Sequence, residues 1–393
     1  MKPQAKNIPA SPARPDELAW TLPVYAQLDL HPVGGEGAWL VMADGRRVLD
    51  MYGGHAVAAL GYGHPRLVAA LQDQARRLTF QSNLLPLEMR ARACEALARF
   101  APPGLDRVFL VNSGAEANEN ALKIAFGQPG RRRVLAVEGA FHGRTAAAAA
   151  VTWGSEKWYG FPQKPFEVSF VSPRDPKGLA EKLDDQVAAL IVEPVQGVAG
   201  AVDMPPEFLA AARAATRAAG ALLIFDEVQC GMGRTGRPFG ADYFGVTPDI
   251  ITTAKGLAGG FPAGALVTTA EIAAGLKVGE LGTTFGGGPM ACAAIETVLA
   301  VIREEGLLER VRTLSEQIRA TCMVGPVTAI QGAGFLLGLV CSRPAREVQA
   351  ELLARDILAG TSADPRVLRL LPPYILEPEH VARLAAALAE IAP

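Results

Sequence analysis

Cysteine, histidine and aromatic residues are scarce in this chain, which holds 5 cysteines, 5 histidines and 6% Phe, Trp and Tyr in 393 residues. Cys94, Cys230, Cys292, Cys322 and Cys341 are odd in number and widely spread, with no CxxC pair and no Cys/His cluster at ligand spacing. A disulfide frame and a zinc site are therefore excluded, no metal is expected, and free thiols suit a reducing cytoplasm. An excess of charge of either sign is also missing, since the formal net charge is −2 and the pI is near 6.3. Without a broad basic field, nucleic acid and anionic membranes are not expected as partners, and small molecules are. No apolar run reaches the roughly 18 residues of a membrane span. The start of the chain, with Pro3, Pro9, Pro12 and Pro15, has no apolar core of the signal-peptide kind, so a cytoplasmic location is expected.

What is abundant is apolar residues, 50% of the chain against 20% charged, enough for a large ordered core. The length suggests two or three domains, or one large domain with a satellite. From about Val24 short apolar runs alternate with Ala-rich helical stretches, the punctuation of an α/β domain around a mostly parallel sheet. Strands are expected at 108–111, 133–137, 188–192, 221–225, 250–253 and 264–268, and helices at 65–78, 87–100, 115–126, 207–219 and 290–304. After Gly306 come amphipathic helices at 307–322, 345–354 and 379–391, with short strands at 327–331, 336–340 and 367–370. This texture suits a smaller α+β domain. A Gly-rich stretch, 282–289, precedes the helix that would join the two, and a loop there could reach an active site or a partner subunit.

Three places carry candidate chemistry. At Asn112-Ser113-Gly114-Ala115-Glu116-Ala117-Asn118 a strand ends in small residues that open a helix, with Ser113 and Glu116 in capping-box spacing. Free N–H groups and the helix dipole make such a spot a phosphate seat, although an ordinary capped helix has the same pattern. Neither a Walker motif nor GxGxxG spacing is present. In Leu222-Leu223-Ile224-Phe225-Asp226 a carboxylate stands where a buried strand stops, the place where ligands collect in open α/β sheets. It needs a cation or a protonated cofactor nitrogen as partner. In Ile250-Ile251-Thr252-Thr253-Ala254-Lys255 an amine follows a strand, which alone could be a solvated loop lysine. Acid, lysine and phosphate seat together form the set that pyridoxal phosphate requires, with Phe141 available as an aromatic platform for the ring.

The strings NSGAEAN (112–118), FHGRT (141–145), EPVQG (193–197), DEVQCGMGRTG (226–236), TTAKGLAGG (252–260) and TTFGGGP (283–289) resemble the class-III pyridoxal-phosphate aminotransferases. The likeness runs from roughly Val24 to the C-terminus and is greatest to the acetylornithine and ornithine aminotransferase branch. It implies a fold type I transferase: a large domain (46–293) with a mostly parallel seven-stranded sheet between helices, and a smaller α+β domain from segments 1–45 and 294–393. It implies that Lys255 carries pyridoxal 5′-phosphate as a Schiff base and that Asp226 pairs with the ring nitrogen. Gln229 would bond the ring oxygen, Phe141 would stack on the ring, and Ser113, Gly114 and Ala115 would cradle the phosphate. Thr284 would reach that phosphate from the other subunit of a homodimer, with Thr283 beside the substrate. Arg144 would grip one substrate carboxylate and Arg369 a second.

Two arginines suit an acceptor with two carboxylates, because a guanidinium binds a carboxylate bidentately. The resemblance thus implies transfer of the terminal amine of N-acetylornithine or N-succinylornithine to 2-oxoglutarate, in arginine biosynthesis. Ornithine, 4-aminobutyrate or a carrier-linked lysine are alternative donors, and a non-catalytic cofactor-binding protein is an alternative of another class. Two departures bear on the substrate. The family usually reads QGEGG or QGEAG, whose glutamate can mask the C-terminal arginine, whereas Val198 stands at that place and cannot neutralise Arg369. The family's GGNP reads Gly286-Gly287-Gly288-Pro289, and its serine before the phosphate-binding threonine is Thr283.

Overall fold

The continuous apolar runs form the core of one seven-stranded sheet in a computed structural model that describes residues 17–127 and 130–393. The Pro-rich stretch before Glu17, with the first part of the expected 1–45 segment, lies outside those residues. In chain order the strands are β1 (Arg107–Val111), β2 (Arg133–Val137), β3 (Glu167–Val171), β4 (Val187–Val192), β5 (Leu222–Asp226), β6 (Ile250–Thr253) and β7 (Gly264–Thr268). Their order across the sheet is β1-β7-β6-β5-β4-β2-β3, and β7 alone runs antiparallel to its neighbours. All six residues of β4 are buried, which is why this strand has no alternation of polar and apolar positions.

Strand β3 is the one that the apolar runs do not mark. It forms an edge, starts exposed and reaches full burial only at Val171. An edge strand covered on one side needs less apolar sequence than a central one.

Helices follow the expected stretches with ends that differ by a residue or two. Pro65–Arg77, Pro206–Ala219, Pro289–Glu304 and Pro378–Ala389 each begin on a proline, whose missing N–H costs nothing in the first turn. Gly220 closes the second of these with φ +66°, a left-handed conformation that suits glycine. The helix Pro289–Glu304 buries nine of its residues and packs on Glu88–Phe100 and Pro65–Arg77. Among the described residues no helix is long and apolar enough to cross a membrane.

Two small sheets flank this body. In one, Pro32–Glu36, Trp39–Met42 and Arg47–Asp50 are antiparallel, and Ile357–Leu358 adds in parallel to the third, tying the N-terminal strands to the last part of the chain. In the other, the order is Val327–Ala333, Leu336–Cys341, Val367–Leu370 and Gly360–Thr361, all antiparallel. Here Arg369 stands opposite Gly360 on one side and Gly338 on the other.

Candidate active site

The carboxyl ends of β1, β2, β4, β5 and β6 converge on a cavity of about 400 Å³, where open α/β sheets place their ligands. Of the residues singled out from sequence, Ser113, Gly114, Ala115, Phe141, Arg144, Asp226, Gln229 and Lys255 line it together. Thr283 and Arg369 are not on its wall, and Thr284 is exposed outside it.

Helix Gly114–Ala125 starts at the cavity edge with Ser113 as N-cap, its Oγ accepting from Glu116 N at 3.2 Å. The reciprocal half of a capping box is displaced by one residue. Glu116 Oε2 accepts from Asn112 N at 2.6 Å and from Asn112 Nδ2 at 3.0 Å, not from the cap residue's own N–H. Among the described residues no acceptor meets the Gly114 and Ala115 N–H groups, so both stay free for an anion at the helix N-terminus. A side chain at 114 could not be accommodated, since a Cβ there would lie 2.7 Å from the methyls of Val228.

Asp226 ends β5 nearly fully buried, and three groups that the sequence reading passed over hold it. Its Oδ2 accepts from Asn118 Nδ2 and His142 Nδ1, each at 2.7 Å. Asn118 is fixed in turn by donating to His142 O at 2.8 Å and accepting from Thr252 Oγ1 at 2.6 Å. Among the described residues only Val228 N, at 3.0 Å, is bonded to the other oxygen, Oδ1, so that atom keeps lone-pair capacity. Among the described residues His142 Nε2 and Gln229 Oε1 are buried without a protein partner. Orphaned polar atoms of this kind beside a cavity call for a polar ligand.

Lys255 follows β6 in the left-handed region, at φ +45°, an uncommon conformation for a residue with a side chain. Burial holds its ammonium below the ordinary lysine range, with Asp226 and Glu193 opposing that shift and Arg369 adding to it. Glu193, just beyond β4, is the other acid of the wall. Its oxygens accept from Phe141 N at 2.8 Å and Gly197 N at 3.2 Å, and burial, followed by the charge of Asp226, pushes its carboxyl up to about 7. The sequence signal for His142 and Glu193 was their place inside the FHGRT and EPVQG strings.

Arg144 is exposed at the mouth, its guanidinium carbon 4.7 Å from the Trp158 ring centre and 5.8 Å from that of Phe141. Cation–π contact holds it there, and among the described residues no ion pair occupies its donors. Thr283 Oγ1 accepts from Asn112 Nδ2 at 3.3 Å and Gly286 N at 3.1 Å, which fixes the Gly-rich loop against the end of β1.

An amine, a carboxylate with a spare oxygen and an open helix N-terminus, gathered at the strand ends of this fold, define a cofactor-dependent enzyme. The family description "Aminotransferase class-III" matches residues 24–392, and the chain belongs to that family. The acetylornithine aminotransferase of Streptomyces coelicolor is 44% identical over 370 residues, spanning 93% of this chain and 91% of that protein. The acetylornithine/succinyldiaminopimelate aminotransferase of Yersinia pestis is 40% identical over 94% of this chain and 95% of its own length. Among solved structures, the ornithine aminotransferase of Toxoplasma gondii matches with a TM-score of 0.88 at 32% identity, covering 95% of this chain and 92% of that one. The chain is therefore a pyridoxal-phosphate-dependent aminotransferase acting on an amino donor and a keto acid.

Proposed function

We propose that this chain transfers the terminal amine of N-acetylornithine, or of N-succinylornithine, to 2-oxoglutarate, giving the semialdehyde and glutamate in arginine biosynthesis in the cytoplasm. The names of the two curated relatives support the donor. The observation that carries the chemistry is that Lys255, Asp226, Phe141 and the open N-terminus at Gly114 line one cavity.

The residues present fit pyridoxal phosphate. The free N–H groups of Gly114 and Ala115, beside Ser113, suit its phosphate, Phe141 and Val228 offer two apolar faces for a flat ring, and Gln229 has an unpaired amide oxygen at the wall. When bound, this cofactor acts as an electron sink for charge that develops on the substrate carbon. Asp226, anchored through Oδ2, would offer Oδ1 to the ring nitrogen and favour its protonated form. Lys255 would hold the cofactor by Nζ, and the same amine would take a proton from the substrate carbon and return it, a role to which its depressed basicity is suited.

Arg144 takes the substrate carboxylate remote from the reacting amine, and Arg369 takes the carboxylate beside the carbonyl of a dicarboxylic acceptor. The site is completed in a homodimer, where Thr284, exposed next to the 65% exposed Phe285, reaches the phosphate of the other subunit and Thr283 borders its substrate. The chain divides into a cofactor domain at 46–293 and a smaller domain from 1–45 and 294–393; Ile357–Leu358 pairs with Arg47–Asp50, just past that first boundary, and through it shares a sheet with Trp39–Met42 and Pro32–Glu36 of the first segment, which supports the union of the two ends.

The test is a glutamate-release assay with 2-oxoglutarate and four donors: N-acetylornithine, N-succinylornithine, ornithine and 4-aminobutyrate. Either acylated donor should give kcat/KM at least tenfold above the other two. A preference for ornithine or 4-aminobutyrate would overturn the substrate assignment.

A further inference from the structure

Arg369 is a buried cation with no ion-pair partner among the described residues. It is 6% exposed, and its guanidinium is held by three uncharged oxygens: Nε donates to Thr361 O at 2.7 Å, Nη1 to Gly197 O at 3.1 Å, and Nη2 to Tyr52 Oη at 2.7 Å. Among the described residues no carboxylate lies within ion-pair distance of it, and Val198, next to its Gly197 acceptor, puts an apolar side chain on the cavity wall. A guanidinium has five N–H donors, so one on each terminal nitrogen remains after these bonds. A desolvated cation with spare donors beside a ligand cavity is an anion site.

Tyr52 is built into that site. Its hydroxyl also meets His55 Nδ1 at 2.8 Å, and the two rings lie 4.8 Å apart. Burial, then the charges of Arg369 and Lys255, lowers the basicity of His55, which leaves the imidazole neutral at pH 7. Since the hydroxyl oxygen accepts from Arg369, its proton goes to His55 Nδ1, which aims a lone pair at the guanidinium. The ring itself rests on Gly360, the residue opposite Arg369 in the sheet, where a Cβ would fall 1.9 Å from the ring. Tyr52 is thus seated from below by glycine and fixed from the side by His55, with its hydroxyl on Arg369.

We propose that Tyr52 is a specificity-determining positioning residue: it holds Arg369 through a neutral hydroxyl, so that the guanidinium keeps its charge and stays open to a dicarboxylic ligand throughout the reaction cycle. The proposal rests on the reading of Arg369 as a carboxylate site. A carboxylate partner would neutralise the guanidinium and close it whenever no substrate anion is present, whereas a phenol only orients it. The ligand class is a five-carbon dicarboxylate, which Arg144 and Arg369 grip at opposite ends.

The test is calorimetric titration of the full-length protein, with cofactor bound, with glutarate, a dicarboxylate that has no group to react. Wild type should bind it, Arg369→Gln should abolish the second grip, and Tyr52→Phe should weaken binding about tenfold, the worth of one hydrogen bond to a charged group. In turnover Tyr52→Phe should raise KM for 2-oxoglutarate by a similar factor and leave kcat and the KM of the amine donor within twofold, a split that general loosening of the fold would not give. Unchanged glutarate affinity in Arg369→Gln would overturn the carboxylate reading and the proposal with it. Loss in Arg369→Gln with unchanged or tighter binding in Tyr52→Phe would overturn the role of Tyr52 alone.

Discussion

Replacing Asp226 with Asn exchanges one oxygen for an NH₂ group in a setting where neither orientation of the amide works. If the NH₂ takes the place of Oδ2, it faces two donors, Asn118 Nδ2 and His142 Nδ1, both now at 2.7 Å. If it takes the place of Oδ1, it faces Val228 N and presents hydrogens instead of a lone pair to the cofactor's ring nitrogen. Either way the charge is lost. A contact ion pair in a medium of effective dielectric about 20 is worth about 4 kcal/mol, which corresponds to roughly a thousandfold in the rate of a step that depends on it. The assay is a single-turnover reaction of the cofactor-loaded protein with N-acetylornithine, followed by absorbance. Cofactor affinity is measured separately, so that loss of binding is not mistaken for loss of chemistry. A rate within tenfold of wild type in the loaded variant would refute the pairing of Asp226 with the ring.

Other expectations follow from the same geometry. Arg144→Ala should raise KM for carboxylate substrates about tenfold with kcat within threefold, because among the described residues the exposed guanidinium makes only cation–π contacts with Phe141 and Trp158; steady-state kinetics decide it, and an unchanged KM moves the carboxylate contact elsewhere. Gly197→Ala would place a Cβ 1.6 Å from Gln229 Oε1, so Gln229 must leave its position and cofactor release should quicken about tenfold; a dissociation rate equal to wild type in a fluorescence chase contradicts this. The lowered basicity of Lys255 gives a pH signature. Its amine is the reactive form, so capture of cofactor by apo-protein should accelerate as pH rises and level off below the ordinary lysine value of 10.5. A half-maximal rate at that ordinary value would show that burial does not act on this group.

Much of this molecule can be read in its residues, and the omissions have physical causes. Strands β6 and β7 have the bounds expected of them, since buried central strands leave uninterrupted apolar runs. Edge strand β3 and the strand Pro32–Glu36, with two glycines and four exposed positions of five, carry no such run and become strands through pairing with neighbours. In the site, Lys255 and Asp226 are legible because each is a charged residue closing an apolar strand. Their supports are not. His142 reaches Asp226 across 84 residues and Asn118 across 108, and no local pattern marks a side chain whose work is to orient another. Tyr52 was hidden for the same reason, since its partner Arg369 lies 317 residues beyond it, and His55 acts only through Tyr52.

If Lys255 holds pyridoxal phosphate in this cavity and serves the transfer of an amine from an acylated ornithine to 2-oxoglutarate, the cofactor's absorbance must follow both half-reactions. The most direct test is the visible absorption spectrum of the purified protein, recorded alone, after N-acetylornithine, and again after 2-oxoglutarate, with Lys255→Ala as the parallel sample. Wild type should show a band of protein-bound cofactor that bleaches with the donor and returns with the acceptor, and Lys255→Ala should show no such cycle. A band that persists through the donor addition, or a full cycle in Lys255→Ala, would contradict this role of Lys255.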